Sequence, residues 1–375
     1  MFRGVLKAGA SLDNGRMRLS RLCRSCRSWA AAVVAGGALL AVPAQALTFQ
    51  FDFLAGTSTQ VQQGFIAAGN LWSSTLNDPV TIRLTVGLGT LASGTIATTN
   101  TGQVLYNYST VSSALAADAT SASDQTAVAH LPVGGVPMRI NHTTTNSGGV
   151  YFDLGGSDNN NFIQMSTANA AALGLPVSRF IVAGCQVACD GSIVFSNTLS
   201  FDFDRSNGIA SGQLDFVGVA AHEIGHALGF LSGVDFLDTT AGLAENSYTV
   251  VSPLDLFRFS SFSAAQGAID FTASTDTKYL SIDGGLTGTG VTFATGVKFG
   301  DGRQASHFKD GLGLGIMDPT ASGGELLAIS NNDKLAFDVI GWNLTTAVPE
   351  PGSSTMWAAG AAVLGIGWMR RRRRD

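Results

Sequence analysis

The segment from Val219 to Phe230, VAAHEIGHALGF, constrains the fold of this chain more than any other feature. Residues four apart on an α-helix lie on the same face, one turn apart, so His222 and His226 can bind one divalent metal ion together. Glu223, next to the first histidine, can reach a water molecule on that ion without binding the metal itself. The pattern therefore predicts a helix that holds a zinc ion, with Glu223 as the proton acceptor.

Two histidines do not complete a catalytic zinc site, which usually has three protein ligands and a water molecule. Gly229 can adopt the left-handed conformation that ends a helix and turns the chain back towards the metal. Asp235 and His307 are the two downstream residues that can supply the third ligand. We favour His307, because a third imidazole keeps all ligands neutral and the metal strongly acidic; Asp235 is the alternative. His130 and His142 are not expected to be ligands.

The sequence after His307 adds a second pattern. Gly315-Ile316-Met317-Asp318-Pro319 places a methionine ten residues after that histidine. Together with the HExxHxxG segment, it resembles the metzincin peptidases, in which a methionine-containing tight turn lies under the zinc. The long gap before the third histidine is similar to leishmanolysin-like peptidases, and HEIGHALGF is similar to bacterial metallopeptidases with a PEP-CTERM signal. The chain departs from the metzincin pattern at Ser232, a poor zinc ligand at the usual third-ligand position.

This resemblance implies both a site and a fold. It implies His222, His226 and His307 as ligands of one catalytic zinc ion, Glu223 as general base, and Met317 as the structural floor of the site. It also implies a zincin-like catalytic domain of the α+β class, with a mixed twisted sheet, an active-site helix and the methionine turn.

Apolar periodicity and turn residues divide the chain into helices and strands. We predict helices at 59–76, 110–117, 123–130, 167–173, 215–228 and 330–340, and strands at 80–86, within 192–204 and at 278–282. Because helices and strands do not alternate regularly, the pattern favours α+β with a mixed sheet over a doubly wound fold. We assign residues 47–346 to one metallopeptidase catalytic domain. A removable propeptide is an alternative interpretation of its N-terminal part.

Both ends of the chain carry targeting patterns. Residues 1–46 combine basic residues, a short apolar core and a small-residue cleavage pattern, which predict a signal peptide. Val348-Pro349-Glu350-Pro351 precedes an apolar stretch at 356–369 and five arginines. This order, at residues 347–375, resembles the PEP-CTERM sorting signal of Gram-negative bacteria. The alternatives are a permanent N-terminal anchor and a C-terminal anchor that is never cut.

The PEP-CTERM resemblance implies a route and a destination. The protein would be exported and transiently anchored in the inner membrane through residues 356–369, with the arginines in the cytoplasm. An exosortase-type enzyme would then process it near the motif. Delivery to the cell surface or extracellular matrix would follow.

Charge and cysteine content limit the partners of the rest of the chain. Residues 47–369 carry 10 Lys and Arg against 25 Asp and Glu, a formal charge of −15 that argues against a nucleic-acid partner. Cys185 and Cys189 are the cysteines beyond the predicted signal peptide, and export favours a local disulfide between them. Asp202–Gly208 and Asp158–Asn161 are polar loops, for which a bound calcium ion is the alternative interpretation.

Taken together, these patterns predict an exported zinc-dependent endopeptidase. Glu223 would activate water for attack on a peptide carbonyl and then protonate the leaving amine. An extended protein or peptide substrate would pair with a strand at Leu199–Phe203. One alternative is a non-catalytic cell-surface or matrix protein whose structural zinc site is closed by both Asp235 and His307. Another is a zinc hydrolase that acts on a different bond.

Overall fold

The structure, a computed structural model, describes residues 46–345. The α-helices among these residues are α1 (Thr59–Ser73), α2 (Tyr108–Asp118), α3 (Ala122–Ala129), α4 (Asp158–Asn161), α5 (Thr167–Ala172), α6 (Phe216–Leu228), α7 (Val234–Thr239), α8 (Ser261–Ala264) and α9 (Asn331–Val339). The strands are β1 (Thr48–Phe53), β2 (Thr81–Gly89), β3 (Ala97–Thr101), β4 (Gln103–Asn107), β5 (Met138–Ile140), β6 (Tyr151–Asp153), β7 (Phe162–Ser166), β8 (Gly191–Ser196), β9 (Phe201–Asp202), β10 (Leu214–Asp215), β11 (Arg258–Phe259), β12 (Ile269–Phe271), β13 (Lys278–Leu280) and β14 (Thr292–Phe293). This mixture of helices and several small sheets is compatible with the predicted α+β class.

The largest sheet has four strands in the order β1–β2–β8–β3. The first three strands are parallel, whereas β3 runs antiparallel to β8, with Ala97 opposite Phe195. The strand predicted at 80–86 corresponds to β2, whose buried Ile82, Leu84 and Val86 share one face. Among residues 46–345, β3 pairs with a strand on one side alone. Its outer edge therefore presents backbone groups that can pair with another extended chain.

An aromatic cluster fixes α1 and α6 against this sheet. The ring of Phe65 on α1 meets Phe195 of β8 edge-on at 5.3 Å and Phe216 of α6 at 5.2 Å between centroids. Further along, the indole nitrogen of Trp72 donates to the backbone carbonyl of Ala221, 2.8 Å away. All three rings of the cluster are fully buried, so the α6 backbone is held in a rigid position under the sheet.

The N-terminal part of the described chain belongs to this core. β1 pairs with β2 along its whole length, from Thr48 opposite Thr81 to Phe53 opposite Val86. Helix α1 packs against α6, and β3 lies at the sheet edge beside α6. Because loss of these elements would expose the aromatic cluster, they form part of the hydrophobic core of the described residues.

The remaining strands form small sheets, with the pairings β4–β7, β9–β10, β5 between β6 and β12, and β13 between β11 and β14. The predicted strand at 278–282 corresponds to β13. The region predicted as strand, turn and strand at 192–204 contains β8 and β9, but they lie in different sheets. Asp270 of β12 accepts a salt bridge from Arg139 of β5 at 2.9 Å and lies 3.7 Å from buried Lys278 of β13. This buried group of charges joins two of the small sheets.

Helix α9 and the residues just after it pack against α1 and α6. The helix begins with the predicted capping box between Ser330 and Asp333, and Gly341 follows it with φ +98°. Phe337 packs against Trp72 with 4.5 Å between ring centroids, and the indole nitrogen of Trp342 donates to Leu228 O at 2.9 Å. The C-terminal end of the described residues therefore supports the same α6 backbone as α1 does.

We expect Asp338→Asn to stabilise the protein in a pH-dependent way. Oδ1 of Asp338 is buried without a hydrogen-bond partner, while Oδ2 accepts from Ser121 Oγ at 2.7 Å. Burial raises the pKa of Asp338 from 3.8 to about 6, and the charges of Asp124 and Asp118 also raise it. Because the folded pKa is the higher one, this group's contribution to stability is present below pH 3.8 and lost as the pH rises through about 6.

Thermal unfolding of both proteins at about pH 4 and about pH 8 measures this effect. The variant should exceed the wild type in Tm at the higher pH, and the difference should shrink at the lower pH. An equal difference at both values would contradict the assignment of the effect to Asp338.

The predicted targeting segments lie at the two ends of the sequence. The predicted signal peptide and the apolar stretch 356–369 fall outside the described residues. From residue 46 to 345, no helix combines the length and the apolarity that a membrane crossing requires. Cys185 and Cys189 are joined by a disulfide, the local pairing that the sequence predicted.

Candidate metal centre

Helix α6 is capped at both ends in a way that fixes the two histidines it carries. At its start, Asp215 Oδ1 accepts from the Gly218 N–H at 2.9 Å. At its end, Gly229 adopts φ +118°, and the Phe230 N–H donates to Gly225 O at 3.1 Å. A left-handed residue of this kind turns the chain back across the last helical turn. The turn brings the Phe230 carbonyl to within 2.8 Å of His226 Nδ1.

Three histidines come together at the face of α6. His226 Nε2 lies 3.1 Å from His222 Nε2 and 3.2 Å from His307 Nε2. Over residues 46–345, this is the one group of three His, Cys, Asp or Glu side chains whose ligand atoms all lie within 4.8 Å of one another. The structure therefore brings His307 to the α6 pair, as we predicted, and leaves the alternative ligand Asp235 out of the group.

The second ring nitrogen of each histidine fixes its tautomer. Each Nδ1 lies beside a backbone carbonyl, which can accept a hydrogen bond but cannot donate one. The neutral imidazole therefore carries its hydrogen on Nδ1 and directs the lone pair of Nε2 into the cluster. The pairs are His222 Nδ1 with Ile316 O at 2.7 Å, His226 Nδ1 with Phe230 O at 2.8 Å, and His307 Nδ1 with Gln304 O at 3.2 Å.

This donor set fits a zinc ion. Nitrogens about 2.0 to 2.1 Å from a tetrahedral zinc ion are about 3.3 Å apart, close to the Nε2 separations from His226. Burial, together with the charge of His222, lowers the pKa of His226 to about 3. Burial and the charges of the other two histidines also hold the pKa of His307 well below its ordinary value. These two imidazoles therefore remain neutral at physiological pH, the state in which they can bind a metal.

Glu223 lies beside the histidine group and is 7% exposed. Burial raises the pKa of its carboxyl group, whereas the charge of His222 and a hydrogen bond from Thr99 lower it in part. Thr99 Oγ1, on the edge strand β3, donates to Glu223 Oε2 at 2.5 Å. The sequence analysis did not identify Thr99, because no local pattern shows that residues 97–101 lie next to α6.

Asp235 supports the loop that carries His307. Its carboxylate accepts hydrogen bonds from the N–H groups of Ala305 at 2.5 Å and Ser306 at 3.1 Å, and from the Ser306 hydroxyl. Ser232, at the usual metzincin ligand position, donates its N–H to Ser306 Oγ at 2.9 Å. Both residues therefore position the backbone before His307, and neither belongs to the histidine group.

Met317 lies under α6, where the methionine turn was predicted. Its side chain is fully buried, and a Cβ atom added to Gly225 would lie 2.6 Å from its sulfur. Asp333 of α9 accepts the N–H groups of Ile316 at 2.9 Å and Met317 at 3.1 Å. Since Ile316 O also accepts from His222, the turn links α9 to the metal-site histidine.

We expect Gly225→Ala to destabilise the protein, because the added methyl group would overlap the Met317 sulfur. Overpacking of this kind typically costs about 1 to 3 kcal/mol. Chemical denaturation measures the loss, and the double variant Gly225→Ala with Met317→Ala is the control. The double variant should lose less than the sum of the two single losses, because its second change relieves the overlap. Simple additivity would contradict a direct clash.

The histidines and Glu223 line an open cleft of about 990 Å³. The cleft is also lined by residues 94–99, which include the first half of β3, and by residues 318–321 after the methionine turn. The predicted substrate strand at Leu199–Phe203 is not among the lining residues. Its core, β9, pairs with β10 instead, so the strand beside the cleft is β3 and the earlier assignment was wrong.

The other polar loops use their side chains internally. Asp202 accepts the N–H groups of Asp204 at 2.9 Å and Ala210 at 2.8 Å, which folds the candidate calcium loop around its own carboxylate. The second segment forms the short helix α4 rather than a loop, and its Asn159 donates to Asp153 at 2.8 Å. His130 Nδ1 lies 2.8 Å from Thr126 O, and His142 stacks on Phe299 with 3.9 Å between centroids. Neither histidine joins the group at α6.

Comparison with known proteins bears on the C-terminal segment. Residues 347–373 match the PEP-CTERM protein-sorting motif. The PEP-CTERM match indicates a protein that is exported in a Gram-negative bacterium, processed by an exosortase-type enzyme and sorted to the cell surface. The match confirms the predicted PEP-CTERM sorting signal at the C-terminal end of the sequence. No curated protein and no solved structure matches the chain.

Proposed function

We propose that this chain is a zinc-dependent endopeptidase of the metzincin type. One observation carries the proposal: the Nε2 atoms of three histidines converge next to a buried glutamate in an open cleft. Each Nε2 has its lone pair available, because the Nδ1 of the same ring donates its hydrogen to a backbone carbonyl. His222, His226 and His307 would hold the ion through Nε2. Three neutral nitrogen ligands with one position left open are the donor set of a catalytic zinc ion.

The chain's own residues supply the proton transfers. When bound, a zinc ion polarises the substrate carbonyl and lowers the pKa of a water molecule. Glu223 accepts a proton as this water attacks the carbonyl carbon. It then donates the proton to the leaving nitrogen as the C–N bond breaks, and its carboxylate is regenerated. Burial keeps the pKa of Glu223 above its ordinary value, which favours both acceptance and release near neutral pH.

The outer edge of β3 would bind the substrate backbone. β3 lies at the end of the sheet order and next to the cleft. An extended peptide can pair with such an edge by adding a strand to the sheet. This arrangement would place a peptide carbonyl over the histidine group and beside Glu223.

Asp235 also bears on the alternative of a structural zinc site in a non-catalytic surface or matrix protein. Such a site is closed by a fourth protein ligand, and Asp235 was the candidate. Its carboxylate already accepts hydrogen bonds from Ala305 and Ser306. This engagement supports a site with three ligands and therefore favours catalysis.

Hydrolysis of casein by the purified full chain tests the proposal. Activity should stop with a chelator and return with zinc. A chain that takes up one zinc ion but cleaves neither casein nor gelatin would support the structural alternative. Cleavage of an ester or other non-peptide bond in a substrate panel, without cleavage of peptides, would indicate a different zinc hydrolase.

A further inference from the structure

The edge strand β3 contacts Glu223 through one side chain. Successive residues of a strand point to opposite faces, and in β3 the half-buried Ala97, Thr99 and Thr101 alternate with the exposed Thr98 and Asn100. The half-buried set faces α6. Thr99 Oγ1 lies 2.5 Å from Glu223 Oε2 and 3.2 Å from the backbone carbonyl of the same residue.

The Thr99 hydroxyl is the one hydrogen-bond donor that the Glu223 carboxylate has within the described part of the chain. It binds Oε2, and Oε1 has no partner there. A glutamate side chain has several rotatable bonds and loses considerable freedom when it is held in one position. A single short hydrogen bond from a rigid, paired strand therefore determines where this carboxylate lies.

We propose that Thr99 is a positioning residue that holds Oε2 of Glu223 and thereby assigns proton transfer to Oε1. The inference rests on the proposed function and deepens it. Thr99 itself neither gains nor loses a proton. It fixes the direction in which the carboxylate presents its other oxygen to the cleft.

The proton balance is consistent with this division of roles. An O–H bond of water breaks as its oxygen attacks the carbonyl carbon, and a new O–H bond forms at Oε1. Oε2 then becomes the carbonyl oxygen of a neutral carboxyl group, which still accepts from Thr99. When the C–N bond breaks, the proton moves from Oε1 to the nitrogen. Glu223 therefore needs no rotation between the two transfers.

Three single variants of the zinc-loaded full chain test the proposal. Thr99→Val keeps the shape and removes the hydroxyl, Thr99→Ser keeps the hydroxyl, and Thr48→Val changes an exposed threonine of β1, at the opposite end of the same sheet and outside the cleft lining. We expect Thr99→Val to lose about 10- to 100-fold in kcat, with KM changed less than about twofold. Thr99→Ser should stay within about threefold of the wild type, and Thr48→Val should be unchanged.

A second measurement does not depend on activity. Crystal structures of zinc-free wild type and Thr99→Val should show the Glu223 carboxylate in one position in the first and displaced in the second. Equal kcat in Thr99→Val and wild type, or equal losses in Thr99→Val and Thr99→Ser, would overturn the proposal. A zinc-loaded wild type that cleaves no peptide would refute the proposed function instead, and an undisplaced carboxylate would then refute the positioning role separately.

Discussion

The Glu223→Gln variant is expected to take up one zinc ion per chain and to lose about 10²- to 10⁴-fold in kcat. Glutamine has the size of glutamate, and its amide oxygen can still accept the hydrogen bond from Thr99. It cannot accept a proton from water at neutral pH. The three imidazole ligands are unchanged, so metal content should be preserved. Metal analysis and casein hydrolysis on the same preparation measure both quantities.

Glu325→Gln is the matched control for this variant. Glu325 is exposed, is not among the residues that line the cleft, and accepts a hydrogen bond from Ser322 N–H at 2.8 Å. It should keep wild-type activity. A fully active Glu223→Gln enzyme would refute the role of Glu223 as general base, whereas a variant without zinc would leave its loss of activity attributable to the metal.

The His307→Ala variant is expected to lose zinc and, with it, activity. Two histidines one turn apart would remain, without the third nitrogen that completes the site. Because loss of a residue that merely supports a ligand costs about 10- to 100-fold in metal affinity, loss of the ligand itself should cost about 100-fold or more. Competition with a zinc indicator measures the affinity, and His130→Ala is the control because His130 lies outside the group.

The zinc affinity of Asp235→Ala, compared with that of His307→Ala, distinguishes the two candidate third ligands. In this structure Asp235 holds the backbone of Ala305 and Ser306, so its loss should weaken zinc binding by about 10- to 100-fold. The effect should be smaller than that of His307→Ala. If Asp235→Ala abolished zinc binding while His307→Ala retained it, the assignment of the third ligand would be reversed.

Helices α6 and α9 were predictable because each has a local signature. The i, i+4 histidines and Gly229 define α6, and the capping box from Ser330 to Asp333 defines α9. These features depend on hydrogen bonds and side chains a few residues apart. The assignment of His307 as the third ligand rested on the chemistry of a third imidazole and on a family resemblance, since no local pattern joins positions 81 apart.

The strand beside the cleft was not predictable, because strand pairing depends on distant residues. Leu199, Phe201 and Phe203 alternate with polar residues, and this pattern did predict a strand. In the fold, however, Phe201 and Phe203 pack against the ring of Phe216, with centroids 5.5 and 4.5 Å away. The apolar face of this segment therefore packs against the hydrophobic core. The small and polar residues of β3 gave no comparable signal, although that strand borders the cleft.

Asp333 of α9 is linked through the Ile316 peptide group to His222. The histidine site can therefore form fully only after α9 has been made. Helix α9, the last helix among the described residues, holds the turn that orients His222. A nascent chain still on the ribosome, or one that terminates before α9, lacks that support. Under the proposed function, the chain would therefore become able to hydrolyse peptides only after α9 has been synthesised.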